Sequence, residues 1–329
     1  MRIAIDTLGA DLGSDRIAKG AIQALEQSKE ISILLIGDES VLKPTIPTEI
    51  SDRVSIVHTT EKIETTDKPV MAIRKKKQAS MVLGYQLLKD GKADALVSCG
   101  NTGALLAGGL FISGRIKGIE RPALTPVIPT MDGPKIMLDA GANVDCKAKF
   151  LLQFAQMGKI YSERVFQKKG VRVGLLNIGA EPGKGSQLYN EAYEMLDISI
   201  DNFVGNVEAR DVLEGNYDVL VADGFAGNII LKSVEGTAST LFGLLKTAFT
   251  ANLFSKVAAL IMQKPLRGIK DRFDYHEVGG APLLGIQHPV IKAHGSSDEI
   301  AMMNAALFAE KFTKAGVIQA IQELNKEEE

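Results

Sequence analysis

The stretch Asp218–Gly236, DVLVADGFAGNIILKSVEG, decides the fold. Val219, Leu220, Val221 and Ala222 form a short, continuous apolar run, the pattern of a strand buried on both faces, as strands of parallel sheets are. The run stops at Asp223, Gly224, Phe225, Ala226, Gly227 and Asn228, whose glycines permit a tight bend. Ile229, Ile230, Leu231 and Val234 then recur at helical spacing. A glycine-rich turn from strand into helix predicts main-chain N–H groups pointing outward beside the positive end of the helix dipole, a natural seat for phosphate or an oxyanion. This loop is the expected centre of the active site.

The same order of strand, glycine turn and helix recurs outward from it. Arg2–Ile5 reads as a first strand, followed by the loop Asp6–Gly13 and a helix carrying Ile17, Ala21, Ile22 and Leu25. Ile31–Ile36 and Val54–Val57 are further strands, and a broken amphipathic pattern runs from Pro69 to Gly91. Ala93–Ser98 enters the loop Cys99–Gly103. Pro122, Pro126, Pro129 and Pro134 make Arg121–Pro134 a crossover or edge region. Ile136–Leu138 is a short strand, turning at Asp139–Asn143 into a helix that buries Phe150, Leu151, Phe154 and Met157. Val171–Leu176 closes on the turn Asn177–Gly185, with a helix from Gln187. The recurrence predicts a three-layer α/β/α fold with a largely parallel mixed sheet, binding ligands at the carboxyl ends of its strands. At 329 residues the chain admits two domains or one, and one two-lobed domain over 1–329 is the expectation.

Towards the carboxyl end, Leu253, Phe254, Val257, Leu260 and Ile261 form an apolar stripe, followed by Lys264, Arg267, Lys270 and Arg272. Core packing, a dimer contact and an anionic membrane surface all fit it, the first two better. Gly279–Gly285 and His294–Ser297 read as glycine turns, and a helix from Asp298 is capped by Ser296 or Ser297.

Composition narrows the function. A net charge of −2 offers no basic field for a nucleic-acid backbone, so nucleic acid is not an expected partner. Cys99 and Cys146 are too few for a disulfide framework and suit a reducing cytoplasm. The amino-terminal MRIAIDTLGAD lacks the apolar core of a signal peptide, and Leu241–Met262 is interrupted by Lys246, Asn252 and Lys256. No GxGxxG follows the first strand, and GxxxxGK[ST], HExxH and GxSxG are missing. His58, His276, His288 and His294 show no metal-ligand spacing, so neither metal nor cofactor is expected.

Among residues able to carry chemistry, Lys184 in EPGKGS stands between glycines. It reads equally as a cation aimed at an anion or as a solvated loop lysine. Asn228 is either a helix N-cap, the commoner use, or an oxyanion donor. Asn101 and Thr102 share that ambiguity. Arg74, Lys75, Lys76 and Lys77 form the densest basic run, either a solvated face or a surface for an acidic partner.

LDAGAN (Leu138–Asn143), GLLNIG followed by Lys184 and Gly185, ADGFAGN (Ala222–Asn228), GGAPLLG (Gly279–Gly285) and HGSS (His294–Ser297) closely resemble the acyl-acyl-carrier-protein:phosphate acyltransferases that begin bacterial phospholipid synthesis. The likeness runs nearly end to end. The opening motif of that family, DAMGGD, stands here as Asp6, Thr7, Leu8, Gly9, Ala10 and Asp11, and its paired serines as Ala79 and Ser80. The resemblance implies a fold similar to isopropylmalate dehydrogenases and phosphotransacetylases, a homodimer, and transfer of an acyl group from carrier-protein thioester to inorganic phosphate without cofactor. It also implies loose membrane contact, with the stripe on a protruding helical segment at about 250–273, and a downstream glycerol-phosphate acyltransferase. Such chemistry needs no enzyme nucleophile, because phosphate attacks and a thiolate leaves. The residues then expected to act are Lys184 on phosphate and Asn228 on oxyanion or phosphate, with Asp223 and His294 orienting them. Asn101, Thr102, Asn143, Gly185, Gly227 and Ser296 are expected around the substrate. The carrier is expected on Arg74, Lys75 and Lys76, or on Lys264 and Arg267. The competing readings are an oxidoreductase of the isopropylmalate dehydrogenase type and a non-catalytic acyl-carrier-binding module.

Overall fold

A computed structural model describes residues 1–273 and 279–327. His276 lies outside them. In chain order the elements are β1 (Arg2–Asp6), α1 (Ser14–Gln27), β2 (Ser32–Gly37), α2 (Glu39–Leu42), β3 (Val54–His58), α3 (Pro69–Lys75), α4 (Ser80–Lys89), β4 (Ala95–Ser98) and α5 (Thr102–Gly108). There follow β5 (Ala123–Leu124), β6 (Val127–Thr130), β7 (Gly133–Leu138), α6 (Ala148–Phe166), β8 (Val173–Asn177), α7 (Gln187–Ser199), β9 (Phe203–Glu208) and β10 (Val219–Val221). The chain ends with α8 (Gly224–Thr250), α9 (Leu253–Phe273), β11 (Ala281–Leu284), β12 (Val290–Lys292), α10 (Glu299–Lys314) and α11 (Val317–Glu327).

The expected α/β layering is present, with largely parallel strands, and the strands divide between two sheets. One has seven strands in the order β3-β2-β1-β4-β12-β11-β5, the other five in the order β6-β7-β10-β8-β9. Among the strands of the described residues, β11 with β12, β11 with β5 and β6 with β7 pair antiparallel and the rest parallel. Apolar strands such as ALVS of β4 and VGLLN of β8 are buried throughout, which requires cover on both faces. One buried cluster joins Ile3, Ile5 and Val97 of the larger sheet to Leu138, Val173 and Val219 of the smaller.

The proline-rich segment crosses between the sheets and supplies an edge to each. β5 ends the seven-stranded sheet, β6 begins the five-stranded one, and Pro126 lies between them. A proline lacks the N–H that a central strand must donate, which suits it to these positions. Two strands escape the sequence pattern: β9 (FVGNVE) mixes polar and apolar residues, and β11 (APLL) hides in what reads as a glycine turn. The helix after HGSS is capped by Asp298, whose carboxylate accepts from Ala301 N at 2.9 Å, rather than by Ser296 or Ser297.

The apolar stripe is not core. α8 and α9 form a long helical pair whose outer surface carries Leu253, Phe254, Val257, Leu260 and Ile261, all more than half exposed; Phe254 reaches 89%. Among the described residues no helix is long and apolar enough to cross a membrane.

At the amino ends of β7, β8 and β10 lies an ion cluster. The wholly buried Lys135 reaches Asp218 Oδ1 at 3.1 Å and Asp132 Oδ2 at 2.9 Å. Arg172 Nε reaches Asp218 Oδ2 at 3.2 Å.

Candidate functional site

Parallel pairing brings strand ends together. β7, β10 and β8 are neighbours, so Leu138, Val221 and Asn177 finish on one edge of the smaller sheet. In the larger sheet Ser98 is in register with both Asp6 and Lys292. A cavity of about 370 Å³ is lined from both sides. The larger sheet and its loops contribute Thr102, Gly280, Ala281, Lys292, Ala293 and His294. The smaller contributes Ala140, Gly141, Asn228, Leu231, Lys232 and Glu235, and the crossover adds Leu124, Pro126 and Val127.

The loop after β7 is built around Asp139. Its buried carboxylate accepts from Leu124 N at 2.9 Å, Ala142 N at 3.2 Å, and Asn143 N and Nδ2 at 2.6 and 3.0 Å. Burial pushes the Asp139 pKa up, and these donors oppose the rise. Asn143 also donates to Pro122 O at 2.7 Å, so its amide N–H groups brace the loop. α8 lands directly on this loop. A Cβ on Gly227 would stand 1.9 Å from Asp139 O, a distance no side chain tolerates. Gly227→Ala therefore separates α8 from the loop despite alanine's higher helix propensity. The expected outcome is a loss of both activity and thermal stability, read by a melting curve beside the rate assay.

The turn Asp223–Asn228 is not the open N–H cradle that the sequence suggests. Helix α8 begins at Gly224, and its first donors are already taken. Gly224 N gives to Asn143 O at 2.7 Å, Phe225 N and Ala226 N to Asp223 Oδ1 at 2.9 and 2.8 Å, and Gly227 N to Asp223 O at 2.9 Å. The Asp223 carboxylate occupies the position an anion would take. Its other oxygen accepts from Tyr189 Oη at 2.8 Å. Burial and the neighbouring Asp223 charge both push the Tyr189 pKa up.

Since Asp223 is the cap, Asn228 is not. It sits in the second turn of α8, facing Gly141, where a Cβ would lie 3.6 Å from Asn228 Cγ. Among the described residues its amide has no hydrogen-bond partner, and it lines the cavity.

Of the other expected site residues, Thr102 and His294 also line the cavity. Ser296 N donates to His294 Nδ1 at 3.2 Å, with Ser296 Oγ at 2.7 Å, which fixes the ring beside the cavity wall. Asn101 caps α5 through Ala104 N at 3.0 Å. Lys184 is exposed and stands off the lining, on the loop after β8. That loop is held by Asn177 Nδ2 on Lys184 O at 3.0 Å and by Asn206 Nδ2 on Glu181 O at 2.9 Å. Gly185 there has φ +88, and a Cβ would press Asn177 Oδ1 at 2.6 Å. Within the basic run, Lys76 is tied to Asp67 at 2.6 Å and to Lys62 O at 3.1 Å, while Arg74 lies 5.1 Å over the Phe111 ring. Lys75 and Lys264 are exposed, and the side chain of Arg267 lies outside the described residues.

Sequence reasoning missed Lys292, Lys232, Glu235, Gly141 and Tyr189. A signal existed for Lys292 alone: a lysine ending the apolar run Val290–Ile291 immediately before the HGSS turn.

The family model described as "Fatty acid synthesis protein" matches residues 1–320. A phosphate acyltransferase of Bacillus thuringiensis (strain Al Hakam) is 48% identical over 329 residues, covering 100% of this chain and 99% of that protein. The phosphate acyltransferase of Bacillus mycoides (strain KBAB4) is similar to the same extent. Among solved structures, the EutD phosphotransacetylase from Staphylococcus aureus superposes with a TM-score of 0.59 at 17% identity, covering 96% of this chain and 94% of its own. A branched-chain phosphotransacylase from Enterococcus faecalis V583 gives 0.60 at 14%, covering 95% and 99%. These two likenesses are of fold.

Proposed function

This chain belongs to the fatty acid synthesis protein family, and from that premise we propose that it transfers a fatty acyl group from acyl-carrier-protein thioester to inorganic phosphate. The product, an acyl phosphate, would feed phosphatidic acid and phospholipid synthesis. The chain is an acyltransferase. The observation that carries the proposed donor and mechanism is the Asn228 amide, without a hydrogen-bond partner among the described residues, beside Gly141 in a cavity between two sets of strand ends.

In the proposed reaction a phosphate oxygen attacks the thioester carbonyl carbon. The C–O bond forms, the carbonyl electrons pass to oxygen as a tetrahedral oxyanion, and their return expels the carrier thiolate, which takes a proton from solvent. Asn228 donates to the oxyanion, and Lys184 draws phosphate to the cavity mouth; Asp223 and the ring of His294 hold the surrounding loops. The cysteines support direct attack. Burial pushes the Cys99 and Cys146 thiols up to about 12, so neither is a thiolate at neutral pH able to carry an acyl group. Purified protein given acyl-carrier-protein thioester and phosphate, without nucleotide or metal, should release free thiol and an acyl phosphate that hydroxylamine traps. Thiol release that ignores phosphate overturns the reading.

The same reading proposes a homodimer in the cytoplasm, touching the inner face of the membrane, with the exposed stripe on α9 as the contact. It also proposes carrier docking on Arg74 and Lys75 or on Lys264 and Arg267. Charging the stripe with Leu253→Glu and Leu260→Glu should weaken self-association or binding to anionic vesicles, measured by sedimentation and flotation. Both unchanged removes the stripe from any interface.

A further inference from the structure

Lys292 is unusual among the lysines of this protein. It ends β12, one strand from the middle of the seven-stranded sheet, and it is half-buried at the floor of the cavity. Among the described residues no carboxylate lies within ion-pair distance of its ammonium. Instead Nζ donates to Cys99 O at 3.2 Å and to Ala293 O. Two carbonyl dipoles steady an ammonium but leave its net charge uncancelled, and a lysine has three N–H groups. Desolvation pushes its pKa down, as does Lys232 across the cavity, while the carboxylates of Asp6 and Asp11 oppose that shift. Lys232 itself is paired with Glu235 at 2.6 Å. Lys292 therefore brings an ammonium with no carboxylate partner among the described residues to a cavity whose other lining is largely apolar, Leu124, Val127 and Leu231 among it, with Asn228 and Thr102 in the same lining.

A partly desolvated cation without a counter-ion costs free energy until an anion arrives, and the gain on binding is correspondingly large. We propose that Lys292, with Thr102, is the seat of the phosphate nucleophile in the cavity, opposite Asn228. The inference rests on the acyl-transfer reading and adds the phosphate subsite to it. It separates two lysines by task. Exposed Lys184 acts through the solvent field, which steers phosphate and is screened by salt; Lys292 acts by contact on the cavity floor, where screening is weak. Carbonyl anchoring by Cys99 and Ala293 holds the ammonium in place before phosphate enters, so little side-chain entropy remains to be lost on binding.

The test compares Lys292→Met and Lys292→Arg with wild type. Lys292→Met preserves the length and packing of the stem and should raise the KM for phosphate on the order of tenfold to a hundredfold, leaving the KM for acyl donor within about twofold. Lys292→Arg should recover part of the loss. Calorimetric titration with inorganic phosphate alone, with no acyl donor present, should show the same weakening. Titration with 4′-phosphopantetheine in place of phosphate separates the two sources of a phosphate group, and its binding should be unaffected. Raising salt should shrink the defect of Lys184→Ala and not that of Lys292→Met. Unchanged phosphate affinity with intact phosphate-dependent thiol release overturns this inference and leaves the acyl-transfer reading standing. Phosphate binding that Lys292→Met abolishes, when wild type itself shows no phosphate-dependent thiol release, leaves a phosphate site at Lys292 and overturns the acyl-transfer reading. Equal increases in both KM values with a lowered melting temperature mean that Lys292 only staples the Cys99 and Ala293 loops, which also overturns it.

Discussion

Replacing Asn228 by Ala is expected to lower phosphate-dependent thiol release about a hundredfold to a thousandfold, the usual cost of losing one donor to a developing oxyanion. The thermal midpoint stays where it is or rises slightly. That combination follows from position. An N-cap asparagine exchanged for alanine costs about 1 kcal/mol of stability, but here Asp223 performs the capping and Asn228 lies in the second helical turn, where alanine is the better helix former. The amide also has no partner to orphan among the described residues, so nothing else in the fold depends on it. A stability loss of cap size with unaltered turnover would place Asn228 among the structural residues and move the oxyanion donor elsewhere. Asp223→Ala should behave oppositely, losing about 1 kcal/mol with the cap and releasing Tyr189 from its partner.

The second large effect concerns stability alone. Asp218→Ala should destabilise the protein by about 3 to 5 kcal/mol, because it leaves the buried Lys135 ammonium with only the largely exposed Asp132. The double variant Lys135→Met, Asp218→Leu should recover most of that loss, since removing both charges leaves none uncompensated. Denaturant midpoints on the three proteins measure it, and a double variant no better than the single would show that the pair contributes beyond mutual neutralisation. The cluster also predicts a pH dependence. Burial works to raise the Asp218 pKa, but the Arg172 main-chain and guanidinium N–H groups and the Lys135 ammonium more than reverse it, holding it at about 2, below the ordinary 3.8. A depressed carboxylate stabilises the folded state above its unfolded value, and that contribution is lost as pH falls from about 4 towards about 2. In Asp218→Asn the loss over that interval should be smaller than in wild type.

Much of the layout was legible along the chain. Val219–Ala222, Val171–Leu176 and Ala93–Ser98 read as strands, and the observed ones (Val219–Val221, Val173–Asn177, Ala95–Ser98) fall on them, because a parallel strand covered on both faces must be largely apolar, a property of consecutive residues. The prolines marked the crossing between sheets for an equally local reason, a missing N–H. β9 and β11 were not legible: a half-polar strand and a four-residue strand flanked by glycines exist only because a distant partner pairs with them. The length of α8 was hidden too, since only its first turns pack inward, with Gly224 and Gly227 buried and Ala226, Ile230 and Leu231 against the core, while Leu241 and Leu244 further along are more than half exposed.

Sequence by itself therefore determined the α/β class, the largely parallel order of its units, and the family. Each of these is written in neighbouring residues. Tertiary structure alone decided which polar groups are spent and which remain available. Asp223 and Asn143 consume the first N–H groups of α8, so the glycine turn is closed to an anion, while Asn228 is left open. Lys292 acquires its setting from Cys99, 193 residues away, because β12 lies in register with β4. Hydrogen-bond saturation and desolvation are set by what packs against a residue, and for this site those neighbours come from the other end of the chain.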